Sequence, residues 1–173
     1  FADFQMGFVS RGIWASSARL VAEVAGLDGL DALIYDADPN RRAAWEGKPG
    51  VAVIGSEDGW SSLAAEALLD RDLILVDPFD LDRPEHYKPF LPRLAALVAA
   101  GAHVLLYYYD RAPRGPGHLR EYRHFRHSLE EALGRSPDLV GRVPSDALAP
   151  RAWHEMILVT SPAARVPFTG DRI

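Results

Sequence analysis

Cysteine is absent from all 173 residues. That excludes disulfides, thiolate zinc sites and cysteine nucleophiles, and it points to an intracellular, cytoplasmic protein. No apolar run approaches the roughly 20 residues a membrane-spanning helix needs, and Phe1-Ala2-Asp3-Phe4 has none of the features of a signal peptide. Positive charge is in deficit: 19 lysines and arginines face 24 aspartates and glutamates, a net charge of −5. The chain as a whole therefore does not attract nucleic acid, and any such contact must use a local basic patch. A Gly-x-Ser-x-Gly elbow, a Walker loop and a His-Glu-x-x-His helix are also missing. Among the six histidines, His124 and His127 stand three apart, a spacing that can hold a metal. No third ligand lies near them, so no metal site is expected. His154, next to Glu155, reads as structural.

What is present suits a folded domain. A composition of 48% hydrophobic and 25% charged residues rules out a mainly disordered chain. The length is one domain's worth, enough for a sheet with helices on both faces. A chain that opens on Phe1 instead of methionine is expected to have an upstream portion that is not shown. No internal repeat appears.

The run Leu73-Ile74-Leu75-Val76 stops at Asp77-Pro78-Phe79-Asp80. Four successive apolar residues suit a strand buried on both faces of a parallel sheet. Pro78 has no N–H for a ladder, so pairing ends there and the chain turns. Ligands of open α/β sheets sit beyond the carboxyl ends of the strands, which puts Asp77 to Asp80 on the rim of a candidate site. An ordinary strand end with a solvated turn is the other reading of these residues.

Upstream, Ile13–Ala25 has a helical period, and Ala32–Tyr35 reads as a strand ending in Asp36-Ala37-Asp38-Pro39. A helix is expected over Arg41–Glu46, then a strand over Val51–Ile54, and a helix over Trp60–Leu69. Downstream come a helix over Tyr87–Ala100 closed by Gly101, a strand over Val104–Tyr109 and a loop over Ala112–Gly117. An amphipathic helix over Gly117–Gly134 follows, with Leu119, Tyr122, Phe125, Leu129 and Leu133 on one side. Val140–Val143 and Glu155–Thr160 are the last strands, with no strong helix between them. This alternation predicts an α/β fold: a Rossmann-like, doubly wound, mostly parallel sheet with a C-terminal antiparallel hairpin, in one domain spanning 1–173.

In this order the residues resemble a class I S-adenosylmethionine-dependent methyltransferase, from about Asp31 to Pro162. Within that fold they are similar to the 23S ribosomal RNA adenine-N6 methyltransferases once linked to the use of external DNA, and Phe1-Ala2-Asp3 resembles part of the amino-terminal motif of those enzymes. The stretch Ile34 to Pro39 resembles the second strand of the fold, which implies that Asp36 or Asp38 holds the ribose hydroxyls of S-adenosylmethionine. A second register makes Leu33–Asp36 the first strand. Ser56-Glu57-Asp58-Gly59-Trp60 resembles the next turn, which implies that Asp58, with Gly59 and Trp60 beside it, meets the adenine. Asp77-Pro78-Phe79-Asp80 resembles the (Asn/Asp)-Pro-Pro-(Tyr/Phe) signature of amino-methylating enzymes. The resemblance implies that Asp77 and the Pro78 carbonyl accept from the target amine and that Phe79 stacks on a flipped base, with Asp80 closing the stretch.

Arg111, Arg114, Arg120, Arg123 and Arg126 interleave with Tyr107, Tyr108, Tyr109, Tyr122 and Phe125. Arginine beside aromatic rings suits single-stranded nucleic acid, and Arg111 and Arg114 are the candidates because their loop follows a strand's carboxyl end. The same helix reads equally as an ordinary packed and solvated one. Trp14, Trp45 and Trp153 are expected to be core or subunit contacts. No Gly-x-Gly loop precedes Asp31 apart from Gly7 to Gly12, and the signature has a single proline. These two features keep open a second function, a catalytically inactive methyltransferase-like binding or scaffolding module.

Overall fold

The computed structural model describes residues 31–53, 55–77, 84–111, 121–144 and 152–165. The chain divides into two compact units, Phe1–Gly59 and Trp60–Ile173. The helix expected over Ile13–Ala25 and the loop expected over Ala112–Gly117 lie outside the described residues.

In the first unit, β1 (Ala32–Ile34) pairs in parallel with β2 (Val51–Val53), Ala32 opposite Val51 and Ile34 opposite Val53. Helix α1 between them covers Pro39–Ala43, not the expected Arg41–Glu46. The shift has a local cause. Asp38 is the N-cap and accepts the Asn40 N–H at 2.9 Å, while Pro39 fills the first turn, where an N–H has no helical partner. After Ala43 the chain turns through Gly47 at φ 72° and Gly50 at φ 67°, a region open to glycine because it lacks Cβ. Lys48 lies over the Trp45 ring with its Nζ 5.5 Å from the centroid. No residue of this unit is fully buried among those described.

The second unit holds β3 (Leu73–Val76), β4 (His103–Arg111), β5 (Leu139–Pro144) and β6 (Ala152–Val159), side by side in the order β3-β4-β6-β5. β3 runs parallel to β4, and β6 is antiparallel to both β4 and β5. The fold class is therefore α/β, with a small parallel sheet and a larger mixed one. The expected hairpin β5–β6 is present. Because β6 lies between β5 and β4, the larger sheet is mixed where a mostly parallel one was expected.

The register sorts the side chains by face. Ile74, Val76, Val104, Leu106, Ile157 and Val159 fall in alternate positions of adjacent strands, and all are buried. The core also takes Leu91, Leu94, Leu97 and Val98 of α3 (Leu91–Ala100) and Phe125 and Leu129 of α4 (Glu121–Leu133). On the opposite face a leucine row, Leu75–Leu105–Leu158–Leu139, crosses all four strands, and Leu139 at its β5 end is 61% exposed. β3 is thus buried on one face only, with Leu73 45% exposed, against the expectation of burial on both.

Two expected helices are replaced by tighter or broken ones. Trp60–Leu69 forms two 3-10 segments, Ser61–Ala64 and Glu66–Asp70, separated at Ala65 with ψ 129°. Leu63 and Leu68 are both buried, yet residues five apart on an α-helix diverge by about 140°. Breaking the helix lets both point inward. Similarly, the helix expected over Tyr87–Ala100 is broken: a short helix α2 (Pro84–Tyr87) and a 3-10 turn at Lys88–Phe90 come before α3 starts. Pro89 and Pro92 lack the N–H bonds a continuous helix needs, and the Pro92 ring excludes the helical carbonyl four residues back.

Candidate functional site

Asp77 follows β3 directly and is exposed. Val76 pairs with Leu106, after which β4 continues to Arg111, paired with β6 along its length to Ala152. The β4–β6 ribbon therefore extends five residues beyond the end of β3, past the level of Asp77. It carries Tyr107, Tyr108, Tyr109 and Arg111 on one strand and Trp153 and His154 on the other. Glu155 of β6, opposite Tyr108, is 2% exposed. Pro78, Phe79 and Asp80, the remaining residues of the signature stretch, lie outside the described residues, as does Arg114.

The cofactor candidates Asp36, Asp38, Asp58 and Gly59 belong to the first unit, and Trp60 opens the second. Asp36 lies two residues past β1. Its Oδ1 accepts the Asp38 N–H at 2.9 Å, its Oδ2 lies 3.7 Å from Arg41 Nε, and its carbonyl accepts from the Arg42 guanidinium. Asp38 is more fully committed. One oxygen caps α1 through Asn40 N–H and the other accepts Arg41 Nε at 3.2 Å. The Asn40 N–H and the Arg41 guanidinium hold its carboxyl below the usual carboxylate range. Asp58 and Gly59 are both exposed.

Trp60 is 6% exposed and sits in an aromatic cluster. Its ring centroid is 6.2 Å from that of Tyr87 and 5.9 Å from that of Phe125, and Tyr87 meets Phe125 edge-on at 5.1 Å. Tyr87 and Phe125 are fully buried. Burial pushes the Tyr87 phenol above its ordinary range, against the opposing influence of the Ser128 hydroxyl beside it. The cluster was not legible in advance, because its members are far apart along the chain and join only through the tertiary fold.

The opposite end of the sheet carries a different polar arrangement. Arg135 donates to both carboxylate oxygens of Asp138, at 3.1 and 3.0 Å, and to the Thr160 carbonyl; Asp138 accepts the Thr160 N–H at 2.7 Å. With Pro162 these residues line an open depression of about 310 Å³. Its charges satisfy one another, so it reads as a clamp holding β6 to the start of β5. On α4, His127 pairs with Glu131 at 3.2 Å. No group of three or more potential metal ligands gathers among the described residues. Nor, among those residues, is any helix long and apolar enough to cross a membrane.

No protein-family model matches the chain, and no curated protein matches it in sequence.

Proposed function

We propose that the chain is an S-adenosylmethionine-dependent methyltransferase of Rossmann-like architecture, acting on an exocyclic amino group of a nucleobase in RNA or DNA. The observation that carries this reading is the exposed Asp77 at the carboxyl end of β3, the position at which α/β sheets take ligands.

A carboxylate has about four acceptor sites, so Asp36, with its bond to the Asp38 N–H and Arg41 Nε 3.7 Å away, and Asp38, with its bonds to the Asn40 N–H and Arg41 Nε, each retain capacity for a ribose hydroxyl; in this reading one of the two is the ribose acid, with Asp58 at the adenine. S-adenosylmethionine, when bound, supplies an electrophilic methyl group on a sulfonium. Asp77 accepts an N–H of the target amine and so orients the nitrogen lone pair for in-line displacement, catalysis by alignment and by dispersing developing positive charge. Arg111 and Arg114 supply phosphate contacts.

The alternative, an inactive methyltransferase-like binding or scaffolding module, is favoured by the single proline of Asp77-Pro78-Phe79-Asp80 and by the lack of a Gly-x-Gly loop before Asp31 other than Gly7 to Gly12. Transfer of a labelled methyl group to RNA and DNA oligonucleotides separates the two. The enzyme transfers, and Asp77→Ala lowers transfer by about a hundredfold or more with cofactor affinity nearly intact. Equal loss of both contradicts the role given to Asp77, and no transfer by the parent chain favours the module.

A further inference from the structure

We infer that residues 160–165 form a proton-released strap, held closed by the neutral imidazole of His103, which loosens on acidification while the sheet beneath it stays paired. The segment leaves β6 and crosses the amino ends of β5, β4 and β3 in that order. Thr160 donates its N–H to Asp138, just ahead of β5, at 2.7 Å. Ser161 donates its N–H to Nδ1 of His103, the first residue of β4, at 3.2 Å. Arg165 pairs with Asp70, ahead of β3, at 3.2 Å. Between these points Ser161 Oγ donates to the Val98 carbonyl of α3 at 2.6 Å and accepts the Ala163 N–H at 3.1 Å. The strap lies at the end of the sheet away from Asp77 and stands independently of the methyltransferase reading.

The His103 contact works in one protonation state. To accept an N–H, Nδ1 must keep its lone pair, which places the ring proton on Nε2. A second proton makes Nδ1 a donor aimed at another donor. His103 is 6% exposed and Ser161 7%, so both groups sit out of water while the strap is closed, where an unmet donor is costly. Opening the strap relieves the conflict.

The charged groups on the elements around His103 are Asp70, Arg71 and Asp72 ahead of β3, Arg135 and Asp138 ahead of β5, and Arg165 on the strap itself; the last turn of α3 has none. Partial burial raises the Asp138 carboxyl, but the Thr160 N–H and the Arg135 guanidinium outweigh it and hold the group below the usual carboxylate range. That fixing therefore survives mild acid. The Arg165–Asp70 pair is exposed on both sides and contributes little. Imidazole is the side chain whose charge changes between about pH 8 and pH 5, and over that interval the strap is expected to let go at Ser161.

Amide exchange of the full chain, expressed as protection relative to an unstructured peptide at the same pH, tests this. From about pH 8 to pH 5, protection at Ser161 and Ala163 should fall by about tenfold or more. Leu106 and Ile157, inside the β4–β6 pairing, should keep theirs. In His103→Asn a carboxamide oxygen takes the place of Nδ1 and gains no proton over this interval, so protection at Ser161 should stay level. Protection that is flat in the parent, that falls equally at Ile157, or that falls as steeply in His103→Asn overturns the inference.

The nitrogen shifts of the His103 ring in the parent chain give a readout that needs no variant to fold. At about pH 8 they should show the lone pair on Nδ1, with a second proton gained only where Ser161 protection has fallen. A proton on Nδ1 at that pH, or a doubly protonated ring with Ser161 still fully protected, contradicts the role given to His103.

Discussion

Thr160 donates its backbone N–H to Asp138 Oδ2 at 2.7 Å, across 22 positions of the chain. The contact pins the end of β6 to the start of β5, and it makes part of the fold's stability depend on an ionised carboxylate. Partial burial pulls the Asp138 carboxyl upward. The Thr160 N–H and the Arg135 guanidinium together outweigh that and hold it below the usual range.

A depressed folded value sets the sign of the pH effect. The contribution of Asp138 is fully present above the unfolded carboxylate value of about 3.9 and is lost as the pH falls through the lower folded value. Urea denaturation of the parent and of Asp138→Asn should therefore differ most near neutrality and converge at strongly acid pH. A stability gap that stays constant across that window contradicts the assignment.

Gly101 closes α3 at φ 123°, and a Cβ there would stand 3.1 Å from the Ala163 carbonyl oxygen. Two costs coincide, a backbone conformation that other residues rarely adopt and a close approach of main chain. Gly101→Ala should lose about 1–3 kcal/mol, measured as a shift of the urea midpoint with an unchanged slope. The same turn is held by Ser161, whose Oγ donates to the Val98 carbonyl at 2.6 Å and whose N–H is accepted by His103 Nδ1 at 3.2 Å.

Phe125 is fully buried between Trp60 and Tyr87. Phe125→Ala should cost about 3–5 kcal/mol, as large-to-small changes of buried aromatics do. Exposed His124, next to it on α4, should tolerate alanine within about 0.5 kcal/mol. Equal effects at the two positions would contradict the packing described.

How far the chain could be read in advance depended on whether the deciding interactions were local. β3 was legible because four apolar residues met an Asp-Pro stop, and its bounds, Leu73–Val76, are those expected. The hairpin β5–β6 was legible from the lack of a helix pattern between its strands. The placing of β6 against β4 was not, since strand order is set by contacts distant in sequence. In Trp60–Leu69 helix-forming composition was overridden by the need to bury both Leu63 and Leu68. Asp38 shows the same limit at the candidate site. Asp38-Pro39-Asn40 carries a helix-cap signal as clear as its likeness to a ribose acid, and the cap engages the carboxylate. Asp77 was legible as the residue that follows the end of β3, because an apolar run meeting Asp-Pro is a local signal.

The most direct measurement is a calorimetric titration of the chain with S-adenosylhomocysteine, repeated with Asp58→Ala. Saturable heat and a rise in melting temperature are expected for the parent, with affinity lowered by about tenfold or more in the variant, as when a hydrogen bond to a charged group worth about 1.5–3 kcal/mol is removed. Absence of heat and of any thermal shift at millimolar ligand would contradict it.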